Sequence, residues 1–327
     1  MSLTAIILAA GRSTRMKSRR PKVLHEICGK PMLDYVLEAC YGAGCERVMV
    51  VVGHGKDEVM ASFANDRRIT WVEQTEQLGT GHAARMCERQ IKEHRGDLFI
   101  LAGDGPLIRS EVLRALLHAH RDERAAASMA TAILDDPTGY GRIIRDSAGQ
   151  FVEIVEQVDC TAEQREIREV FPSYYCVKSS ELLFALSQLK NLNKKGEYYL
   201  TDIYSILRSA GHKVVAVQAV TAEDVLAVNT REQQAQVDAV MQDRIQRHLR
   251  ETGVSILNGI NIYIEAGVKI GRDSVIQPFT FIGRDASIGA ECVIGPFAAV
   301  QREGIVPEGS VLAGNISAET ATLDRAG

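Results

Sequence analysis

The chain has 327 residues, of which 46% are hydrophobic and 24% are charged. This length and composition are typical of a globular protein with two domains. The net charge of -4 argues against a general binder of nucleic acid or of membrane surfaces, since such proteins carry an excess of Lys and Arg.

The first ten residues contain an apolar run only from Ala5 to Ala10, with no basic stretch before it. This run is too short for a signal peptide or a membrane span. Seven cysteines occur without a CxxC pair, at positions 28, 40, 45, 87, 160, 176 and 292. An odd number without metal-ligand spacing indicates free thiols in a reducing compartment. We therefore expect a cytoplasmic protein with neither a membrane partner nor a nucleic-acid partner.

The first half of the chain alternates strand-like and helix-like stretches. Apolar runs typical of buried strands lie at 5–9, 47–53, 69–72, 97–102 and 126–133. Helical patterns lie between them, at 33–43, 58–65, 81–93 and 110–120. This alternation predicts an α/β fold with a mostly parallel sheet, in which ligands bind at the carboxyl ends of the strands.

The last third of the chain has two further patterns. Thr230 and Gln233 fit a capping box before a long polar helix at 231–250, which Gly253 ends. We expect this helix to connect two domains. Aliphatic residues then recur every six positions, at Ile264, Ile270, Ile276, Ile282, Ile288, Ile294 and Val300. This hexapeptide repeat predicts a parallel β-helix of a little over two turns, which would pack on the long helix or on other subunits.

The segment 8–22 is the most informative for function. A strand leads into a small-residue turn, where Gly11 lets a ligand approach the backbone and N–H groups can bind phosphate. Six cations follow within eleven residues, namely Arg12, Arg15, Lys17, Arg19, Arg20 and Lys22. This density suits a triphosphate or pyrophosphate, although a solvated basic loop would have the same composition. The sequence contains neither the dinucleotide motif G-x-G-x-x-G nor the P-loop motif.

Four motifs together resemble a known enzyme family. They are LAAGRSTRM at 8–16, EQLGTGHA at 76–83, LAGDGPL at 101–107 and GEYYLTDI at 196–203. The set closely resembles the uridylyltransferase half of the bifunctional N-acetylglucosamine-1-phosphate uridylyltransferase/glucosamine-1-phosphate acetyltransferase family (GlmU). The first motif alone would also fit isoprenoid cytidylyltransferases and molybdopterin nucleotidyltransferases.

The resemblance implies a Rossmann-like nucleotide-diphospho-sugar transferase domain with a mixed, mostly parallel sheet at 1–228. A linking helix at 229–252 and a short left-handed parallel β-helix with a tail at 253–327 would follow. A homo-oligomer is expected, most simply a trimer formed through the β-helix as in the family. The basic residues that hold the family's amino-sugar phosphate are replaced at 298–301 (AAVQ) and 317–321 (SAETA). We therefore expect no acetyltransferase activity.

The resemblance also assigns roles to individual residues. The nucleotide would be held by Leu8, Ala10, Gly11, Gln74, Gln77, Gly79 and Thr80. The sugar would be bound by Tyr140, Gly141, Glu156 and Thr201. Arg15 and Lys22 would be catalytic and would neutralise the phosphates. Asp104 and Asn229 would bind Mg²⁺, which prefers oxygen ligands; without the resemblance, both would also fit helix N-caps.

The implied reaction is a Mg²⁺-dependent in-line displacement that converts UTP and N-acetylglucosamine 1-phosphate into UDP-N-acetylglucosamine and pyrophosphate. Two positions depart from the family: Phe171 replaces an Asn of the sugar site, and Gly105 replaces the usual Val after Asp104. A phenyl ring cannot donate or accept the hydrogen bond of an amide. The same chemistry on another sugar 1-phosphate, with UTP or dTTP, is therefore an alternative to the implied reaction. A nucleotide-binding regulatory or scaffold protein without turnover is the alternative from a different class.

Overall fold

In the computed structural model the described residues are 2–11 and 14–314, so Arg12 of the cation cluster and the segment 317–321 lie outside them. The chain divides into two compact units. The first comprises Met1–His25 and Met32–Thr230, and the second comprises Glu26–Pro31 and the chain from Arg231 onward. Within the described ranges, no helix combines the length and the hydrophobicity that crossing a membrane requires.

Nine strands form one sheet in the first unit. In chain order the first eleven strands are β1 (Ser2–Leu8), β2 (Glu26–Ile27), β3 (Lys30–Pro31), β4 (Arg47–Val52), β5 (Ile69–Glu73), β6 (Gly96–Ala102), β7 (Ala127–Ile133), β8 (Gly141–Arg145), β9 (Phe151–Val155), β10 (Glu169–Lys178) and β11 (Val214–Gln218). The sheet order is β11-β7-β10-β6-β1-β4-β5, with β8 paired to β10 and β9 paired to β8. Strands β2 and β3 form a separate hairpin, which belongs to the second unit.

Strand β1 is central and pairs in parallel with β4 and β6. Its residues Ile6 and Ile7 are fully buried, because a sheet covered on both faces has no solvent-facing side. Ile7 joins the core that contains Leu37 on one face, and Ile6 joins the core that contains Ile91 on the other. The predicted α/β fold with a mixed, mostly parallel sheet is confirmed.

Eight α-helices lie in the described part of the first unit: α1 (Met32–Gly42), α2 (Lys56–Ser62), α3 (Thr80–Arg85), α4 (Glu88–Glu93), α5 (Ser110–Asp122), α6 (Ala162–Arg165), α7 (Ser179–Gln188) and α8 (Asp202–Ser209). The single helix predicted at 81–93 is wrong, because a turn separates α3 from α4. The Met86 N–H is shared between the carbonyl oxygens of His82 and Ala83, both at 3.2 Å, and the Cys87 N–H bonds only three residues back, to Ala84 at 3.1 Å. This tighter spacing ends α3.

Strand β10 contains an irregularity that bears on function. It runs antiparallel to both β6 and β7, and its register shifts between Val170 and Tyr174. Pro172 has no N–H to contribute to the strand ladder, and Ser173 adopts a φ of 67°, which is uncommon for a residue other than glycine. Phe171, Pro172 and Ser173 all line a cavity of the first unit. Bulges of this kind often re-aim side chains beside active sites.

The second unit contains the long helix α9 (Arg231–Glu251) and a parallel β-helix. Its strands are β12 (Ser255–Ile256), β13 (Ile262–Ile264), β14 (Lys269–Ile270), β15 (Val275–Ile276), β16 (Thr280–Ile282), β17 (Ser287–Ile288), β18 (Val293–Ile294), β19 (Ala299–Val300), β20 (Ile305–Val306) and β21 (Val311–Leu312). Three parallel sheets form its sides: β12-β15-β18-β21, β13-β16-β19 and β14-β17-β20. Ile264 therefore pairs with Ile282, so three hexapeptides make one turn.

The β-helix is longer than the sequence predicted. The ten strands described up to residue 314, three per turn, give just over three turns rather than a little over two. Val306 and Leu312 continue the six-residue spacing and are buried in the same core. Ile256 does not fit the six-residue spacing, because it lies eight positions before Ile264. A 3-10 turn at Gly259–Asn261 lies between the two residues.

Close stacking explains the glycines of the repeat. A Cβ on Gly271 would lie 2.4 Å from the backbone nitrogen of Ala290 in the next turn, so only glycine lets the two turns approach here. Helix α9 packs on the first turn: Leu249 is buried in the β-helix core, and Gln246 Nε2 donates to the carbonyl of Ile262 at 3.1 Å.

Candidate active site

A cavity of about 330 Å³ lies at the carboxyl end of β1. Hydrogen bonds to the two neighbouring segments hold the chain where β1 ends. The Ala9 N–H donates to the Val51 carbonyl at 2.9 Å, and the Leu8 carbonyl accepts from the Gly103 N–H at 3.0 Å. A Cβ on Gly11 would meet no atom within 4 Å. The turn therefore faces open space, as a phosphate-binding turn requires.

Two glutamine side chains line the same cavity. Gln77 Nε2 donates to the Ala10 carbonyl at 2.8 Å, which ties its loop to the turn after β1. Gln74 is buried, and its Nε2 lies 3.2 Å from the Gly79 carbonyl oxygen and 3.0 Å from His82 Nδ1. A primary amide carries both a donor and an acceptor, which is the combination that the edge of uracil requires.

The loop before α3 is fixed against a second loop. Gly79 adopts a φ of 107°, and a Cβ there would lie 2.6 Å from the Tyr198 carbonyl oxygen, so only glycine fits. The Gly81 N–H donates to that carbonyl at 2.8 Å. Thr80 Oγ1 accepts from the Leu200 N–H at 3.0 Å. The motifs at 76–83 and 196–203 therefore hold each other in place.

Lys22, Asp104 and Asn229 form the polar centre of the site. Lys22 Nζ donates to the Asp104 carboxylate and, at 2.7 Å, to Asn229 Oδ1. Arg15 Nη2 donates to the same amide oxygen at 2.8 Å. The side chains of Lys22 and Asp104 are only 14% and 20% exposed. Segments far apart in sequence thus bring two cations, a carboxylate and an amide oxygen to one point.

A smaller cavity of about 220 Å³ holds most of the predicted sugar-binding residues, namely Tyr140, Gly141 and Glu156. Glu156 Oε1 accepts from Thr201 Oγ1 at 3.1 Å. Burial raises the pKa of Glu156, and the hydrogen bond from Thr201 partly offsets this effect. Thr201 is itself 6% exposed and contacts the cavity through Glu156.

Phe171 lines the smaller cavity and is held by other aromatic rings. Its ring packs edge-on to Tyr175 at a centroid distance of 4.7 Å and to Tyr204 at 5.8 Å. Tyr175 and Tyr204 are stacked at 5.4 Å. Such edge-to-face contacts favour one ring orientation, so Phe171 forms a fixed apolar part of the cavity wall.

The two cavities meet at three shared lining residues, Ala102, Asp104 and Ser173. The larger cavity brings together the predicted residues Leu8, Ala10, Gly11, Lys22, Gln74, Gln77, Gly79 and Thr80. The smaller brings Asn229 to the predicted sugar residues. Arg15 joins this set through its hydrogen bond to Asn229. The predicted site residues therefore surround one pair of adjoining cavities.

Some lining residues were missed by the sequence analysis. Ser173 lines both cavities, while Tyr175 and Glu197 line the larger one. Pro172 within an otherwise strand-like run was a usable signal, since proline inside a strand indicates a bulge. Glu197 lies within the motif at 196–203, which was the available signal for it. No sequence signal distinguished Tyr175 from an ordinary core residue.

The oxygen atoms at the centre fit a magnesium ion. Within residues 2–11 and 14–314, no three His, Cys, Asp or Glu side chains cluster so that they could hold a metal ion alone. Asp104 and Asn229 nevertheless direct two oxygen atoms at one cation, the Lys22 ammonium. Mg²⁺ commonly takes one or two carboxylates from a protein and its other ligands from phosphate and water. The donor set is therefore suited to Mg²⁺ bound together with a nucleotide.

Comparison with known proteins agrees with this geometry. The chain matches the MobA-like NTP transferase domain family over residues 5–250 and the bacterial transferase hexapeptide family over 267–302. It is 44% identical over 278 residues to the bifunctional protein GlmU of Brevibacillus brevis, covering 85% of this chain and 60% of that protein. It is 45% identical to GlmU of Alkaliphilus metalliredigens, with the same coverage. The chain thus spans about 60% of the length of these curated relatives.

A solved structure of a UDP-glucose pyrophosphorylase complexed with UDP-glucose has a TM-score of 0.62 at 20% identity, covering 75% of this chain and 100% of that one. At that identity the likeness shows the fold alone. The predicted resemblance to the uridylyltransferase half of GlmU, followed by a hexapeptide β-helix, is confirmed. Because the first family match covers well over half of the chain, this protein is a nucleotidyltransferase of the MobA-like NTP transferase family.

Proposed function

We propose that the chain transfers a uridylyl group from UTP to N-acetylglucosamine 1-phosphate and releases pyrophosphate. The observation that carries this proposal is the contact of Lys22 with both Asp104 and Asn229. Asp104 lines both cavities, so this cluster lies where they meet. The larger cavity would take the nucleotide and the smaller one the sugar phosphate.

The sugar phosphate needs no general base. A phosphate monoester loses its second proton near roughly pH 6, so it is mostly a dianion at neutral pH. One of its oxygens forms a bond to the α-phosphorus of UTP, while the bond from that phosphorus to the bridging oxygen breaks. The electron pair leaves on pyrophosphate. The main difficulty is to bring two polyanions together, and cationic groups remove this repulsion.

The chain's own residues would bind and orient the two anions. Lys22 and Arg15 both donate to the Asn229 amide oxygen, and they would neutralise the triphosphate and the leaving pyrophosphate. Asp104 and Asn229 would hold Mg²⁺, which when bound neutralises charge on the phosphate oxygens. Gln74 and Gln77 would recognise the base, and Glu156 would accept hydrogen bonds from sugar hydroxyls.

Phe171 favours a second candidate, the same chemistry on a different sugar 1-phosphate. Its ring lines the sugar cavity and cannot supply an amide's hydrogen bonds. The ring can pack against an apolar part of a substituent instead. An acetamido methyl group and a methyl or methylene group of another sugar would both meet that condition. This observation motivates a test with several sugars and with dTTP beside UTP.

We also propose a homo-oligomer assembled through the β-helix. Phe279 and Phe297 lie on successive turns, and their rings are stacked at 4.9 Å and are 55% and 59% exposed. Exposed aromatic clusters on soluble proteins commonly mark interaction surfaces. A trimer is the simplest such assembly for a hexapeptide β-helix of this family. We still predict that the chain does not transfer an acetyl group from acetyl-CoA to glucosamine 1-phosphate.

The proposal is tested by measuring pyrophosphate release with Mg²⁺, each nucleoside triphosphate and a panel of sugar 1-phosphates. We expect release with UTP and N-acetylglucosamine 1-phosphate, and none when either is omitted. Pyrophosphate release with only a different sugar 1-phosphate would change the proposed sugar substrate and leave the proposed reaction unchanged. Binding of UTP without release, in the presence of every sugar tested, would overturn the enzymatic proposal and support the regulatory alternative.

A further inference from the structure

The segment from Glu223 to Asn229 leads from β11 to the amide oxygen at the centre of the site. It begins with a short 3-10 turn at Glu223–Val225. Val225, Ala227 and Asn229 line the smaller cavity. A displacement of this one segment would therefore change both the proposed Mg²⁺ ligand and the wall of the sugar pocket.

An ion pair between a buried carboxylate and a partly exposed arginine holds the start of this segment in place. Arg109 Nε and Nη2 both donate to Asp224 Oδ2, at 2.9 and 2.5 Å. The Asp224 side chain is 1% exposed, while that of Arg109 is 45% exposed. A carboxylate removed from water to this extent is strongly disfavoured if its cation is taken away. The position of Asp224 is therefore coupled to Arg109.

Three more hydrogen bonds fasten the segment to the cavity itself. Tyr174 Oη donates to the Asp224 carbonyl at 2.8 Å, and Tyr140 Oη donates to the Val225 carbonyl at 3.2 Å. The Val228 N–H donates to the Asp104 carbonyl at 3.0 Å. Tyr140, Tyr174 and Asp104 all line the smaller cavity. The segment and the cavity wall thus form one hydrogen-bonded structure.

We propose that Arg109 and Asp224 are positioning residues, which hold the segment 223–229 so that Asn229 faces Asp104 across the proposed Mg²⁺ site. This inference rests on the proposed function for the identity of the ligands. The ion pair acts through the backbone of the segment, since Arg109 holds the Asp224 side chain and the Asp224 carbonyl accepts from Tyr174 in the cavity wall. Loss of the ion pair should therefore weaken the binding of Mg²⁺ and of the sugar phosphate more than the binding of the nucleotide.

A matched ion pair elsewhere provides the control. Arg121 Nε donates to Asp97 Oδ2 at 2.8 Å, and the side chains of Arg121 and Asp97 are 44% and 3% exposed. Asp97 is at the start of β6, whereas Asp104 follows its end. Arg109→Met and Arg121→Met therefore each remove the arginine partner of a buried carboxylate, but only Asp224 lies in the segment that carries Asn229. His120 stays beside Asp97 after the second substitution.

The experiment measures the Mg²⁺ concentration for half-maximal rate, the KM of each substrate and the thermal stability of both variants. We expect Arg109→Met to raise the half-maximal Mg²⁺ concentration and the KM of the sugar phosphate by about tenfold, which is typical for loss of an outer-shell partner of a metal ligand. The KM for UTP should be unchanged. Arg121→Met should lower the thermal stability without changing the half-maximal Mg²⁺ concentration or either KM. Arg109→Lys should keep part of the affinity for Mg²⁺ and sugar phosphate that Arg109→Met loses.

A second readout does not depend on turnover. Mn²⁺ binding with UTP present, followed by electron paramagnetic resonance, should weaken by a similar factor in Arg109→Met and stay unchanged in Arg121→Met. If Arg109→Met does not fold, Asp224→Asn and Arg109→Lys provide the same comparison. An Arg109 variant with wild-type Mn²⁺ affinity and only lowered stability would overturn the inference. Absence of turnover in the wild type would overturn the proposed function instead, and Mn²⁺ binding would still test the positioning role.

Discussion

The ammonium group of Lys22 lies 2.7 Å from the amide oxygen of Asn229, although 207 positions of sequence separate the two residues. The same ammonium contacts the Asp104 carboxylate. Lys22 follows the turn after β1, Asp104 follows β6, and Asn229 precedes α9. Strands β1 and β6 are parallel neighbours, so their carboxyl ends lie side by side and bring the first two residues together.

Replacing Lys22 with Ala should lower kcat strongly and leave the fold intact. Loss of one group that stabilises developing charge typically costs about 100- to 1000-fold in kcat. Steady-state pyrophosphate release measures the rate, and circular dichroism checks the fold. Lys56→Ala is the control, because Lys56 pairs with Glu73 in a largely exposed ion pair and should show wild-type turnover. Near-normal turnover by folded Lys22→Ala would remove Lys22 from the proposed mechanism.

Replacing Asn229 with Ala should raise the Mg²⁺ concentration that the reaction requires. We expect the Mg²⁺ concentration for half-maximal rate to rise by about tenfold or more, because loss of an outer-shell partner alone costs about 10- to 100-fold in metal affinity and Asn229 is the proposed ligand itself. Asn229→Asp keeps an oxygen atom at the site and should need less Mg²⁺ than Asn229→Ala. A Mg²⁺ titration of the initial rate provides the measurement. Identical titration curves for wild type and Asn229→Ala would contradict the assignment of this ligand.

Asp97 should make the first unit sensitive to acid. Burial opposes ionisation of Asp97, but the adjacent His120 and Arg121 side chains outweigh this effect and lower its pKa from 3.8 to about 2. A depressed pKa contributes stability above pH 3.8 that is lost as the pH falls toward 2. The contribution at neutral pH is about 2 kcal/mol, at 1.36 kcal/mol for each tenfold change in acidity.

Urea unfolding of wild type and Asp97→Asn at pH 7 and at pH 3 tests this expectation. The variant should be less stable by about 2 kcal/mol at pH 7. The difference should narrow at pH 3, because this pH lies below the unfolded-state pKa of 3.8 and the unfolded wild-type chain then binds the proton. Activity per folded molecule at pH 7 should not change. A difference that is the same at both pH values would show that lost packing, rather than ionisation, accounts for the effect.

The exposed aromatic rings of the β-helix should govern assembly. Wild type should have a light-scattering mass of three times 35.9 kDa. The double substitution Phe279→Ser with Phe297→Ser should lower that mass, because it removes stacked rings that are more than half exposed. Phe184→Ser is the control, since Phe184 is 39% exposed on the first unit. A wild-type mass equal to one chain would contradict assembly through this surface.

The sequence predicted most of the fold because its patterns are periodic. Continuous apolar runs predicted the parallel strands, and the spacing of six predicted the β-helix. Both signals fail where the period is interrupted. The turn after α3 breaks a run of helix formers, and the inserted 3-10 turn at Gly259–Asn261 moves Ile256 out of the six-residue pattern. Such interruptions depend on tertiary packing, which local periodicity does not record.

The candidate site was predictable where its residues lie in compact motifs. Gln77, Gly79 and Thr80 lie within one loop, and Asp104 follows a strand. Arg109 and Asp224 were not predictable, because 115 positions separate them and isolated charges usually lie on solvated surfaces. Ser173 was missed because its positive φ follows from the bulge in β10 rather than from its own side chain.

Transfer of label from UTP tests the central claim most directly. With the α-phosphate of UTP labelled, wild type should place the label in UDP-N-acetylglucosamine and release one equivalent of unlabelled pyrophosphate. Folded Asp104→Ala should form neither product at a comparable rate, since Asp104 lies where the two cavities meet. Wild-type rates of labelled product from folded Asp104→Ala would contradict the account.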